Sequence, residues 1–195
     1  KVIKEESPNP ENEIGGDLGW FAGFRMVYPF ESAAYNTPVG QISMPVRTEY
    51  GYHLVRVNAK RKNRGEVLVS HIMTIVQKNH SDVEEQAAEQ KINKAYEELQ
   101  KGTDWDEVVK TYTEHKKTIG RGGNLGWIKT GGVPDEILET AFSLDSGEYS
   151  KPIRTEYGFH IVRTMGFRPV PEFEQVKADY ETRVKQTSDI NKITK

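Results

Sequence analysis

The side chains best suited to chemistry in this chain are its five histidines, His53, His71, His80, His115 and His160; cysteine is absent. Imidazole titrates near neutral pH and can donate through one ring nitrogen while accepting through the other. Hydrogen bonding and proton transfer are therefore within its reach. Metal ligation is not expected, because no two histidines have H-x-x-x-H spacing and there are no thiolates. Nor is a Ser-His-Asp arrangement indicated. Two of the five close the same phrase: Thr48-Glu49-Tyr50-Gly51-Tyr52-His53 and Thr155-Glu156-Tyr157-Gly158-Phe159-His160.

That phrase ends a longer repeat. Residues 15–56 begin GGDLGWFAGF and finish PVRTEYGYHLVR, and residues 122–163 begin GGNLGWIKTG and finish PIRTEYGFHIVR. The blocks align without a gap at an offset of 107, which places Trp20 on Trp127, Gly40 on Gly147 and His53 on His160. A repeat of this length is a domain-sized module rather than a solenoid turn. About 60 well-patterned residues precede the second block and 14 precede the first. One complete module and one N-terminally truncated copy are the expectation.

Composition bounds the function classes. With 195 residues and 35% hydrophobic content, the chain is long enough for one or two small domains. A formal net charge of -2 argues against an electrostatic grip on nucleic acid or an anionic membrane. No apolar run approaches the ~20 residues of a membrane span. No leader is recognisable, but the first residue is Lys1, so an upstream segment can be missing.

The expected elements follow from pattern. Residues 1–14 read as loop, 15–59 as the first block and the basic stretch 60–65 as a connector. VLVSHIMTIV after Glu66 reads as a buried central strand. Ser81 and Glu84 form a capping box for a helix with Ala88, Ile92, Ala95, Tyr96 and Leu99 on one face, ended by Gly102. Asp104 and Glu107 repeat the capping pattern before a shorter helix through Val108, Val109 and Tyr112. Residues 115–123 read as a glycine-rich basic loop without a phosphate-cradle pattern. A strand at 125–128, a short helix at 135–142 and a hairpin of 150–155 with 159–165 complete an antiparallel α+β module. An amphipathic helix over 172–187 follows, with Phe173, Val176, Tyr180 and Val184 on one face.

The block GGNLGW, the helix ending Thr140-Ala141-Phe142, then Gly147-Glu148, Pro152-Ile153 and Thr155 through Val162 resembles the parvulin family of peptidyl-prolyl isomerases. Val69-Ser70-His71-Ile72 resembles that family's first strand, which also carries a histidine. The likeness implies a parvulin-like α+β fold: a small antiparallel sheet flanked by helices, a second truncated copy, and a C-terminal helix. Its domains would be 1–60, 66–168 and 171–195. Tandem parvulin modules followed by a helix resemble periplasmic foldases that escort outer-membrane proteins.

Turning an X–Pro bond faces a barrier of about 18–20 kcal/mol and takes tens of seconds or more uncatalysed. No covalent bond need form. An apolar slot for the ring and a few oriented polar groups suffice. The resemblance places His71 and His160 at the pocket floor, where they would share hydrogen bonds; a purely structural histidine pair is the alternative. The family's third polar position, usually Asp or Cys, falls on His115, with Glu114 as the alternative. The proline slot, Met and Phe in the family, falls on Val133 and Ile137 here and on Met26 and Phe30 in the first block. Leu125 and Phe142 would border the slot, and Tyr157 its rim. Tyr50 and His53 would do the same in the first block. Trp20, Trp127 and Tyr35 read as packing anchors.

The resemblance implies a prolyl isomerase acting on unfolded or extended X–Pro clients, with no cofactor, no nucleic acid and no membrane span. The alternative is a peptide-binding chaperone module that keeps the fold without the activity; His115, Val133 and Ile137 favour it. A purely structural interaction domain is a third reading.

Overall fold

A computed structural model describes residues 16–186. The loop expected over 1–14 and the chain beyond 186 lie outside the described residues. The chain divides into two compact units, Arg64–Val170 and a unit made of Lys1–Asn63 with Pro171–Lys195.

In the unit that includes the first block, helix α1 (Tyr28–Asn36) leads to a hairpin of β1 (Val46–Thr48) and β2 (Gly51–His53), with Val46 opposite His53. Pro29 sits in the first turn of α1, where a missing N–H leaves no intrahelical bond unmade. Phe21 packs on Phe30 and Tyr35, with ring centroids 6.2 and 6.5 Å apart.

The unit Arg64–Val170 runs β3 (Glu66–Ile75), α2 (Asp82–Gln100), α3 (Trp105–Tyr112), α4 (Lys116–Ile119), β4 (Asn124–Ile128), α5 (Asp135–Ser143), β5 (Ile153–Thr155) and β6 (Gly158–Arg168). Its sheet is antiparallel throughout, in the order β4-β3-β6-β5. Helix α6 (Phe173–Gln186) follows and belongs to the other unit, where Tyr180 stacks on Phe24 at 5.5 Å.

Alternation along the central strands feeds two cores. Ile72, Phe159 and Ile161 pack with Ile92, Ala95 and Leu99 of α2 and Val108 and Val109 of α3. Val67, Val69 and Val162 face the other way, onto Ile137, Leu138 and Ala141 of α5. Full burial of a side chain such as Ile72 or Leu138 stabilises by about 1.5–3 kcal/mol. The Ser81–Glu84 capping box is complete, and Asp104 accepts the N–H groups of Asp106 and Glu107.

The repeat recurs in bonds as well as letters. Gly40 N–H donates to Val57 O at 2.7 Å, and Gly147 N–H to Thr164 O at 2.7 Å. Ser43 donates to Val55 O and Ser150 to Val162 O, both at 2.8 Å. Arg61 lies over the Trp20 ring at 4.0 Å, as Arg168 lies over Trp127 at 3.8 Å. Every one of these pairs is related by the offset of 107. The cation–π contacts carry the repeat past residues 56 and 163, where its sequence signal fades.

Two expectations are corrected. The stretch 115–123 is not all loop, since residues 116–119 form α4. This single turn is too short for a periodic pattern and is closed by buried Thr118, whose Oγ1 donates to His115 O and whose carbonyl accepts from Gly123 N–H. The strand expected from Ser150 starts only at Ile153, because Pro152 has no N–H for the ladder.

Candidate active site

His71 on β3 and His160 on β6 occupy the two central strands. Their Nδ1 atoms lie 3.2 Å apart and their rings are stacked, with centroids 5.4 Å apart. His115, at the N-cap of α4, reaches His71 from the other side: its Nδ1 is 2.9 Å from His71 Nε2. At the far end Thr155 Oγ1 lies 2.8 Å from His160 Nε2. Four side chains thus form one line, Thr155–His160–His71–His115.

The backbone explains how His115 arrives there. Strand β4 pairs with β3 only from Val67 to Ser70. Beyond that, residues 113–115 take over the same edge. Met73 N–H donates to Thr113 Oγ1, Glu114 N–H donates to Met73 O at 2.7 Å, and Ile75 N–H donates to the Glu114 carboxylate at 2.7 Å. Between the two stretches His71 N–H donates to Gly123 O. Gly123 has φ +76, and a Cβ there would overlap the His71 carbonyl oxygen, so only glycine fits this approach.

Glu114, the alternative third polar group, is engaged elsewhere. Its second oxygen accepts from Lys91 Nζ at 2.7 Å. Burial alone would raise its pKa, but Lys91 and the Ile75 N–H outweigh burial and hold it below the ordinary carboxylate value. His80 is likewise committed, to Glu85 at 2.8 Å and to Gln77 O.

Donor counting allows the line two directions, since Thr155 Oγ1 can donate to His160 Nε2 or accept from its N–H. Thr155 Oγ1 accepts from Tyr157 N–H, so its own hydrogen is available to His160 Nε2. When the threonine donates, neutral His160 donates through Nδ1 to His71 Nδ1, and neutral His71 through Nε2 to His115 Nδ1. That direction leaves His115 with an Nε2–H at the half-buried end of the line. The neutral state is the favoured one. Burial, reinforced by His160 and His115, pushes His71 down to about 3. Burial, with His115 and Arg154, pushes His160 down to about 4. His115 is lowered by burial and by the cationic Lys117 and Arg121.

The apolar side of the site adjoins His160. Ile153 is paired with His160 across β5 and β6, and it packs on the same cluster as Leu125, Val133 and Phe142. Ile137 lies deeper, 3% exposed, within that cluster. Phe142 sits under Arg64 at 4.2 Å and against Phe167. Tyr157 is exposed in the hairpin turn, and its hydroxyl pKa is raised because it donates to the Glu156 carboxylate and lies near that residue's charge. Gly158 closes this turn with φ +138, and a Cβ there would overlap Thr74 O.

The first block repeats part of this arrangement. Thr48 Oγ1 lies 2.7 Å from His53 Nε2, Tyr50 N–H donates to Thr48 Oγ1, and Phe30 meets the His53 ring edge-on at 5.5 Å. Met26 is half-buried, while Tyr50 is exposed. The histidine partners, Thr48 and Thr155, were missed by the sequence reading, as was Ile153. The threonines had a signal, since both stand five residues before a histidine in the repeated phrase.

A four-stranded antiparallel sheet with a histidine on each central strand, helices on both faces and an apolar cluster beside the histidines defines a parvulin-type module. The Rotamase family profile, described as PPIC-type PPIase domain, matches residues 1–59 and 71–166. The chain belongs to that family.

Among curated relatives it is 31% identical to Chaperone SurA of Pseudomonas aeruginosa over 167 residues, covering 84% of this chain and 39% of the relative. It is 32% identical to Chaperone SurA of Methylobacillus flagellatus over 188 residues, covering 94% of this chain and 43% of the relative. The chain thus spans about two fifths of their length. Solved structures similar to it include the peptidylprolyl isomerase PrsA of Bacillus anthracis, with TM-score 0.48 and 22% identity over 64% of this chain and 53% of that one. A PpiC-type peptidyl-prolyl cis-trans isomerase domain gives TM-score 0.46 and 26% identity over 55% of this chain and 94% of that one.

Proposed function

We propose that residues 66–168 bind X–Pro segments of unfolded polypeptides and accelerate their cis/trans isomerisation, as a foldase and chaperone. The observation that carries this reading is the line of three neutral histidines set against an apolar cluster. The prolyl ring enters the apolar side, near Ile153, Leu125 and Val133. The His115 Nε2–H donates to the client amide as it loses conjugation in the twisted state. A line of hydrogen bonds polarises its own terminus, and a fixed donor aimed where charge develops lowers the barrier. Bond rotation needs no acid, base or nucleophile, which suits rings held neutral. A proline-limited refolding assay tests the reading. Wild-type chain at micromolar concentration shortens the slow phase and His160→Ala does not. An unchanged slow phase with wild type would leave a peptide-binding module without isomerase activity.

The first block, within residues 1–60, is read as the C-terminal portion of another such module. Its hairpin supports this. Tyr52 and Leu54 are 75% and 65% exposed, whereas their counterparts Phe159 and Ile161 are buried under α2 and α3. Helices like α2 and α3 would cover them, and a strand like β3, antiparallel to β2, would bring a histidine toward His53. Limited proteolysis that spared residues 16–59 in a dilute monomer would count against this.

Residues 171–195 are read as the connector that follows the modules. Unfolded X–Pro clients and a periplasmic location complete the proposal. Their support is the family likeness and the relatives' shared name, Chaperone SurA.

A further inference from the structure

The first block carries a buried acid that the second lacks. Glu31 on α1 is 9% exposed, and the offset of 107 sets it against Leu138, which is fully buried. A carboxylate in such a place is costly unless its oxygens are bonded, and here both are. Oε1 accepts the N–H groups of Arg25 at 2.7 Å and Met26 at 2.9 Å, and Oε2 accepts that of Phe24 at 3.0 Å. Three consecutive amides converge on one negative group, an arrangement of charge-assisted bonds.

The held loop is strained. Phe24 has φ +64, the sole positive value for a non-glycine residue among the described residues, and its counterpart Gly131 has φ +77. For a residue with a Cβ this conformation costs about 1–3 kcal/mol and persists where surroundings enforce it. The second block uses glycine at that point and gives the helix position to a core leucine. The first keeps a phenylalanine and gives the helix position to a clamp.

The clamped loop ends at Met26, and the same helix supplies Phe30, which lies edge-on to His53. His53 is itself fixed by Thr48. We propose that Glu31 is a positioning residue that sets Met26 against Phe30 and so shapes the proline slot of the first block. This rests on reading that block as parvulin-type. The two blocks then differ in slot residues and also in how the slot wall is held.

The test uses the full chain with carbon-13 methionine methyls, whose four residues are Met26, Met44, Met73 and Met165. A short X–Pro peptide serves as probe. In Glu31→Gln the Met26 methyl shifts or broadens, Met44 in the same unit and Met73 and Met165 in the other stay put, and Glu31→Asp recovers part of the native position. Peptide affinity read at Met26 falls roughly tenfold, as loss of a charged hydrogen-bond acceptor implies. Phe24→Gly with Glu31→Gln removes the strain and guards against misfolding; Met26 is still released. An unmoved Met26 methyl in both variants overturns the clamp. A wild-type Met26 methyl that ignores the peptide overturns the slot reading of the first block instead.

Discussion

His71 and His115 meet at 2.9 Å, edge-on, although 44 residues separate them in the chain. The contact exists because residues 113–115 continue the β3 edge after β4 leaves it. At the position that the resemblance matches to the family's Asp or Cys, we place a ring that both accepts and donates. The consequence is a neutral line of hydrogen bonds in place of a fixed negative charge.

Replacing His115 separates these roles. His115→Ala leaves a ring nitrogen of His71 without its partner, and stability falls by about 1–3 kcal/mol. His115→Asp sets a carboxylate beside His71 and raises its pKa from about 3. Histidine-resolved NMR titration reads the shift. A His71 that titrates unchanged in His115→Asp would show that the two side chains are not in contact.

Acid should destabilise the fold before carboxylates titrate. In the unfolded chain His71 and His160 take up protons near 6.5, whereas folded they resist until about 3 and about 4. The unfolded state therefore binds more protons below neutrality. The stabilisation is fully present above pH 6.5 and is lost as pH falls toward the folded values. At pH 5 the loss is about 1–2 kcal/mol per ring. His80, its pKa raised by the hydrogen bond it donates to Glu85, works in the opposite sense, so His80→Gln is the cleaner background. Denaturant midpoints at pH 7 and pH 5 check this, and an equal or higher midpoint at pH 5 contradicts it.

Thr155 is expected to matter through His160. Thr155→Val keeps the volume but removes the group that binds His160 Nε2 and accepts from Tyr157 N–H. Stability should drop by about 1–2 kcal/mol, and isomerase turnover should fall more than peptide affinity does. Thr155→Ser should restore both. Turnover equal to wild type in Thr155→Val would remove Thr155 from the line.

Much of this was legible in the sequence, for identifiable reasons. The offset of 107 exposed the module, the Ser81–Glu84 box and the face of Ala88, Ile92 and Ala95 marked α2, and the histidine on β3 was readable from an apolar run. Local chemistry reports local structure. Helix α4 was not legible, because four residues carry no period. The role of Thr155 went unread although its spacing to His160 recurs at Thr48 and His53, because the intervening residues read as turn formers only. The Glu31 clamp was hidden for a different reason: a glutamate on a short helix reads as surface until burial is known. Its mismatch with Leu138 was visible in the aligned blocks.

The central claim is that the line from Thr155 to His115 serves X–Pro rotation. Exchange NMR on a short X–Pro peptide, with the chain at catalytic concentration, tests it most directly. Cis/trans exchange cross-peaks are expected with wild type and should vanish with His71→Ala and His160→Ala while the fold is retained. Cross-peaks that are absent with wild type, or equally strong in folded variants, would contradict the account.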